Sequence, residues 1–336
     1  MTDSARLVDL IRAFRGRRVL ALSDLVVDEF INGRVERVSR EAPVLILKYD
    51  GTDARLGGGA NAVHNIKTLG GAPIPVGVVG KDAPGQALRA SLRAKRIDTR
   101  FVFSERGYLT PVKTRILGGG AHQAKQQIVR IDKATALESA AARRRALRVL
   151  QGFSGPLDAV LVSDYGFGLI SKELVRAAIA LAHRRKVPVT VDTRHGLLGF
   201  RGMTAVTPNE PEVEAALGIT IGSDLVKLEA AGQTLLERLG ARAVLITRGS
   251  DGMALFEKKR PPMHIPIFGS DQVTDVTGAG DTVIATFTLA LAAGASPAEA
   301  SRLANFAGGV VVMKQGTATV SAAELQDAVR SPSSRA

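Results

Sequence analysis

The sequence predicts an α/β protein, a mostly parallel sheet flanked by helices. Three observations carry that expectation. Short β-branched runs alternate with segments of helical periodicity along most of the chain. Polar residues follow several of those runs directly: Asp24, Asp164, Asp192, Asn209 and Arg248. In open parallel sheets the ligand crevice lies at the carboxyl ends of the strands, so these residues would form its rim. Finally, small residues cluster at two expected helix starts, Gly57-Gly58-Gly59 and Gly278-Ala279-Gly280.

Taken in order, Val19–Leu22, Ile74–Val79, Ala159–Val162, Val187–Val191, Thr204–Val206 and Ala243–Ile246 read as strands. Ala60–Leu69, Gly85–Lys95, Glu138–Leu150, Lys172–Arg185 and Leu225–Leu239 read as helices between them. An apolar run from Val283 to Ala293 forms a further helix that Gly294 ends. Ser296-Pro297-Ala298-Glu299 is a capping box with proline at the first helical position, and its helix is expected to run to about Lys314. Two segments, about 24–50 and 100–132, break the rhythm. They hold alternating strands, Val44–Leu47 and Val112–Ile116, without helices. They are expected to form a discontinuous β lid that shuts water out of the crevice. Gly118-Gly119-Gly120 reads as a hairpin tip. Residues 1–330 are expected to make a single domain, and 331–336 a disordered tail.

Composition narrows the function. The chain has 336 residues and a net charge of +13, but no Cys and no Trp. Disulfides and Cys-ligated metals are therefore excluded. The basic clusters Arg143–Arg145, Arg184–Lys186 and Lys258–Arg260 read as helix surfaces, and the few aromatics offer no stacking platform. A nucleic-acid partner is not expected, whereas a basic surface also steers small phosphorylated ligands. The first 14 residues carry Asp3, Arg6, Asp9 and Arg12 without an apolar core, and no run is long enough to span a membrane. A cytoplasmic protein with no membrane partner is expected. The five histidines lack metal-ligand spacing and read as structural or surface residues.

The stretch from Asp275 to Thr282 carries the most chemistry. A helix starting at Gly278 or Ala279 would point unpaired N–H groups and its positive dipole end into the loop, an anion site. Asp281 would lie in its first turn, placed to take a proton. That pairing suits phosphoryl transfer to a hydroxyl, although an acidic residue near a helix start is also an ordinary dipole preference. No Walker A pattern is present. Asn209 and Glu212 stand where they could meet a hydrated magnesium ion, and Glu212 too could simply favour a helix start.

Gly57-Gly58-Gly59-Ala60-Asn61, followed by Gly70 and Gly80, resembles the amino-terminal signature of the phosphofructokinase-B, or ribokinase-like, sugar kinases. Asp275-Val276-Thr277-Gly278-Ala279-Gly280-Asp281 resembles their carboxy-terminal one. Asn209 and Glu212 match the family's Asn-x-x-Glu, and Thr247-Arg248-Gly249-Ser250-Asp251-Gly252 its nucleotide-side loop. The resemblance implies a three-layer α/β core with a β lid often used for homodimerisation. It also implies phosphorylation of a sugar or sugar phosphate by ATP with Mg²⁺. Asp281 would be the base, with Gly278, Ala279 and Gly280 forming the anion hole. Asp28, Gly58, Gly59, Asn61, Lys113 and Arg115 would lie on the substrate side. Asn209, Thr247, Gly249, Gly252 and Asn305 would lie on the nucleotide side, with Glu212 holding Mg²⁺ through water. Some relatives bind a monovalent cation such as K⁺ near Asp275 and Thr277. Within the family, Val38–Val44, Val162–Tyr165 and Ala304-Asn305 are similar to the branch acting on D-glycero-β-D-manno-heptose 7-phosphate. That branch makes the 1,7-bisphosphate for ADP-heptose and lipopolysaccharide precursors. Its bifunctional forms carry a second, nucleotidyltransferase domain, so this chain is expected to be the kinase alone. Its usual Asp-Tyr-x-Lys-Gly is here Asp164-Tyr165-Gly166-Phe167-Gly168, without the lysine, and its Asp-Pro-Lys is Asp192-Thr193-Arg194. These departures bear on substrate identity, leaving another sugar kinase of the family as the alternative. A non-catalytic sugar- or nucleotide-binding protein of the same fold is the other.

Overall fold

Strand runs that are apolar on both faces need helices on both sides, and Val19–Leu22 and Ala159–Val162 are such runs. Val19 and Ala21 of the first strand pack into one core, Leu20 and Leu22 into the other. The computed structural model describes residues 3–120, 125–269 and 274–331. Helix α1 (Asp3–Arg12) precedes β1 (Arg18–Ser23). The hairpin β2 (Leu25–Val38) and β3 (Leu45–Gly58) leads into α2 (Gly59–Thr68), β4 (Ala72–Gly80), α3 (Ala83–Ala94) and β5 (Val102–Glu105). A second pair, β6 (Val112–Gly119) and β7 (Gln126–Lys133), is followed by α4 (Ala140–Gly152), β8 (Ala159–Asp164), α5 (Lys172–Arg185), β9 (Val189–Thr193) and β10 (Ala205–Val206). Then come α6 (Glu210–Leu217), α7 (Leu225–Leu239), β11 (Ala243–Thr247), β12 (Met253–Glu257) and β13 (Met263–Ile265). The helices α8 (Ala279–Ala292), α9 (Pro297–Val311) and α10 (Ala322–Arg330) close the chain.

Nine strands form one sheet in the order β13-β12-β11-β10-β9-β8-β1-β4-β5. Pairing is parallel from β5 to β11, and β12 and β13 add an antiparallel edge. The four-stranded lid has the order β3-β2-β6-β7, with β2 and β6 parallel. Among the described residues no helix is long and apolar enough to cross a membrane.

The expected strands, helices and lid are present, with four boundary corrections. The first lid segment runs on to Gly58, because β2 and β3 pair in register down to Leu25–Gly58. The second begins at Val112; Val102–Glu105 instead pairs with β4 as the edge of the main sheet. Helix α9 ends at Val311 rather than near Lys314. Lys258–Arg260 lies at the turn after β12, not on a helix. Residues 121–124, beyond the expected glycine tip, and 332–336, most of the expected tail, fall outside the described residues.

Candidate active site

Helix starts are usually closed by a side chain, and most here are: Asp82, Ser139, Ser171, Asn209, Asp224, Ser296 and Ser321 each accept a backbone N–H as N-caps. Among the described residues two α-helices differ, and they are the two with the glycine motifs. Neither Gly58 ahead of α2 nor Gly278 ahead of α8 caps with a side chain. Gly278 has φ of 80°, a conformation that costs glycine little, and a Cβ there would lie 2.5 Å from Asn61 Nδ2. The Ala279 N–H donates to Val276 O at 3.1 Å, so of the expected anion hole this donor is already satisfied within the chain. The N–H groups of Gly280 and Asp281 donate to no backbone carbonyl among the described residues. A Cβ on Gly280 would meet nothing within 4 Å, which leaves open space in front of the motif.

Asp281, in the first turn of α8, is 3% exposed. Its Oδ1 accepts the Tyr165 hydroxyl at 2.5 Å and its Oδ2 the Asn61 amide at 3.0 Å. Burial pushes its carboxyl up to about 6, against the opposing effect of those two donors. Tyr165, which follows β8, lies outside both glycine motifs and joins the site only in the fold. Lys113 Nζ lies 4.9 Å and the Arg194 guanidinium 4.5 Å from its ring centroid. Neither cation is ion-paired among the described residues. Burial, with the charge of Arg194 nearby, pulls Lys113 down to about 8.

The other substrate-side residues are brought to the same region but are held by the protein itself. Arg115 Nη1 pairs with Asp28 Oδ1 at 2.6 Å, and the Thr317 hydroxyl donates to Asp28 Oδ2 at 2.6 Å. Arg115, expected on the substrate side, is thus engaged by a carboxylate of the chain itself. Asn61 donates to Asp281 and to Gly278 O at 3.3 Å, while its oxygen accepts from Asn65. Gly57 and Gly59 serve close packing: a Cβ would lie 2.4 Å from Asp28 Oδ2 and from Ser23 Cβ respectively. Gly58 brings the chain against Tyr165, whose Cε2 a Cβ there would approach to 3.2 Å.

Asn209 and Glu212 form the reciprocal cap of α6, the ordinary helix-start role, at 2.8 and 2.9 Å. That cap uses one Glu212 oxygen and leaves Oε1 without a hydrogen bond among the described residues. Burial raises the Glu212 carboxyl, and Asp192 is driven well above the usual range by burial first, then by the charges of Glu212 and Asp281. The free Glu212 oxygen fits a hydrated Mg²⁺, which takes one or two carboxylates and keeps waters. No three His, Asp or Glu converge as a closed metal cage among the described residues. Thr247, paired by a bridge to Asn209, Gly249 and Gly252 lie together at the end of β11. Asn305 donates to Pro266 O at 2.8 Å. Asp275 is tied to the Thr277 N–H at 2.8 Å and to the Gly316 N–H at 3.0 Å.

Comparisons with known proteins bear on the family and the fold. Residues 24–324 match the family described as pfkB family carbohydrate kinase. The bifunctional protein HldE of Pelobacter propionicus is 38% identical over 97% of this chain, and that of Geobacter metallireducens 40% identical over 93%. The chain spans 66% and 62% of those proteins' lengths. Among solved structures, ribokinase from Arabidopsis thaliana, complexed with ribose and ATP, superposes with a TM-score of 0.71 at 20% identity. The alignment covers 94% of this chain and 99% of that one. Phosphofructokinase-2 from Escherichia coli, in complex with fructose-6-phosphate, gives 0.74 at 18% identity with the same coverage.

Proposed function

Since the chain belongs to the pfkB family of carbohydrate kinases, we propose that it transfers the terminal phosphoryl group of ATP to a hydroxyl of a sugar phosphate. The acceptor is D-glycero-β-D-manno-heptose 7-phosphate and the product its 1,7-bisphosphate. The observation that carries this reading is the pair of cations at Tyr165. Lys113 and Arg194 meet one ring whose hydroxyl rests on Asp281, and neither is paired with a carboxylate among the described residues. Two unpaired cations beside a carboxylate base suit an acceptor that already carries an anionic group. The similarity to the HldE proteins supports the heptose.

In this reading Asp281 removes the proton from the acceptor hydroxyl, and the acceptor displaces Tyr165 from its carboxylate. The open α8 start, with the N–H groups of Gly280 and Asp281, receives charge developing on the transferred phosphoryl group. Asn61 holds Asp281 in orientation and Gly278 sets the turn. Glu212 would meet hydrated Mg²⁺ through its free oxygen, and the ion would supply charge neutralisation to the phosphates. Thr247, Gly249 and Gly252 border the nucleotide, and Asp275 and Thr277 the K⁺ site. The Asn305 bond to Pro266 O keeps the adjoining wall in place. Residues 1–330 act as one cytoplasmic catalytic domain, paired with a second copy through the lid.

The test is ATP turnover by the purified protein with Mg²⁺ and a panel of sugars and sugar phosphates. Heptose 7-phosphate should give the highest kcat/KM. A preference for an unphosphorylated sugar would remove the heptose assignment, and no turnover with any acceptor would leave a binding protein of the same fold.

A further inference from the structure

A cavity of about 880 Å³ lies at the amino ends of β1, β4 and β5, the opposite edge of the sheet from Asp281. The six residues of β1 separate the two ends by roughly 20 Å. Three of the chain's 11 phenylalanines, Phe101, Phe103 and Phe153, line it, each only partly buried. The ring of Phe153 stands edge-on to Phe101 at 6.5 Å between centroids. Its loop is pinned, since Arg185 donates to Ser154 O at 3.1 Å and also to Gly155 O. Gly155 lets the ring fold back over that loop: a Cβ there would lie 3.1 Å from Phe153 Cζ. Around this apolar floor stand Arg18, Arg145 and Arg148, none of them ion-paired among the described residues. Arg145 lies 4.3 Å from the Phe103 centroid. A fourth arginine, Arg100, is neutralised by Asp98.

A concave apolar floor with a few convergent polar groups is the usual form of a small-molecule site. Aromatic rings favour a planar partner, and unpaired guanidinium forks favour phosphate or carboxylate. We propose that this cavity is a second ligand site, distinct from the crevice, for a nucleoside phosphate. The base lies against Phe101, Phe103 and Phe153 and the phosphates against Arg18, Arg145 and Arg148. The inference does not depend on the kinase reading, because the cavity shares no residue with the crevice.

Equilibrium dialysis with radiolabelled ADP and Mg²⁺, up to about 1 mM, the weak end of specific binding, tests it. Wild type should bind two equivalents. R145A/R148A, which removes two exposed side chains, should lose one while its melting temperature and turnover stay unchanged. Gly280→Ala, which crowds only the phosphoryl end of the crevice, should keep the equivalent that the arginine variant loses. An equivalent that the arginine variant removes and Gly280→Ala retains establishes the site, even in a protein without kinase activity. If no bound equivalent behaves in that way, the proposal is overturned.

Discussion

Asp281 titrates within the working range because burial favours its neutral form. Its carboxyl moves from 3.8 in the unfolded chain to about 6 in the fold. In its proposed role as base it must be ionised, so kcat/KM should fall on the acid side of about pH 6, measured as a pH–rate profile. Tyr165→Phe removes a hydrogen bond to the ionised form and should move that limb upward, while an unmoved limb would separate Tyr165 from the base. Stability runs the other way. A raised carboxyl contributes stability that is complete below about pH 4 and lost as pH rises through about 6. At pH 7.5 Asp281→Asn should therefore lower turnover by about 10²–10⁴ without lowering the melting temperature. The two motif glycines should part company in the same assays. Gly280→Ala enters open space and should keep the fold while cutting turnover at least about tenfold, since it crowds the donors of an anion site. Gly278→Val must adopt φ of 80° and collide with Asn61, so its melting temperature should fall as well.

The lid strands divide their cations between binding and structure. Lys113 should be the contact for the acceptor's phosphate, so Lys113→Ala should raise KM for the sugar phosphate and spare KM for ATP. Arg115→Ala should act on stability instead, because it strands Asp28 as a buried charge; such losses cost about 3–5 kcal/mol, readable in a denaturant titration. This division was not legible in the sequence, where Lys113 and Arg115 sit two apart on one strand face and look alike. The elements themselves were more legible. Apolar strand runs, the Ser296 capping box and the glycine stretches are local signals, and the strands and helices they announced are there. Some missed elements are short, β5 of four residues and β13 of three, and α6 starts at a cap whose residues also suit a metal, but α10 is missed although Ser321 and Glu324 form a capping box. Asp281 could be found because its motif is contiguous. Tyr165 is 116 residues away in the chain, and only the pairing of β1 with β8 and the packing of α8 bring it to the carboxylate.

At the scale of the molecule, the lid presents Val38, Val44, Leu45, Tyr49, Val129 and Ile131 to solvent, each more than 40% exposed. An apolar surface of this kind on a sheet invites a partner. Val129→Lys with Ile131→Glu should turn a dimer into a monomer in analytical ultracentrifugation; a wild type that sediments as a monomer would withdraw the dimer. The lid is also tied to the far end of the chain. Thr317 reaches Asp28 across 289 residues, and Arg55 donates to Gln315 O at 2.7 Å. On the ribosome, the lid strands emerge long before the segment that fastens them. Until residue 317 leaves the exit tunnel, the Asp28–Arg115 pair lacks its third member and β3 lacks its anchor. A nascent chain stalled near residue 300 should therefore carry a lid that protease cuts readily, and elongation until residue 317 clears the tunnel should end that sensitivity within the time these long-range contacts take to close.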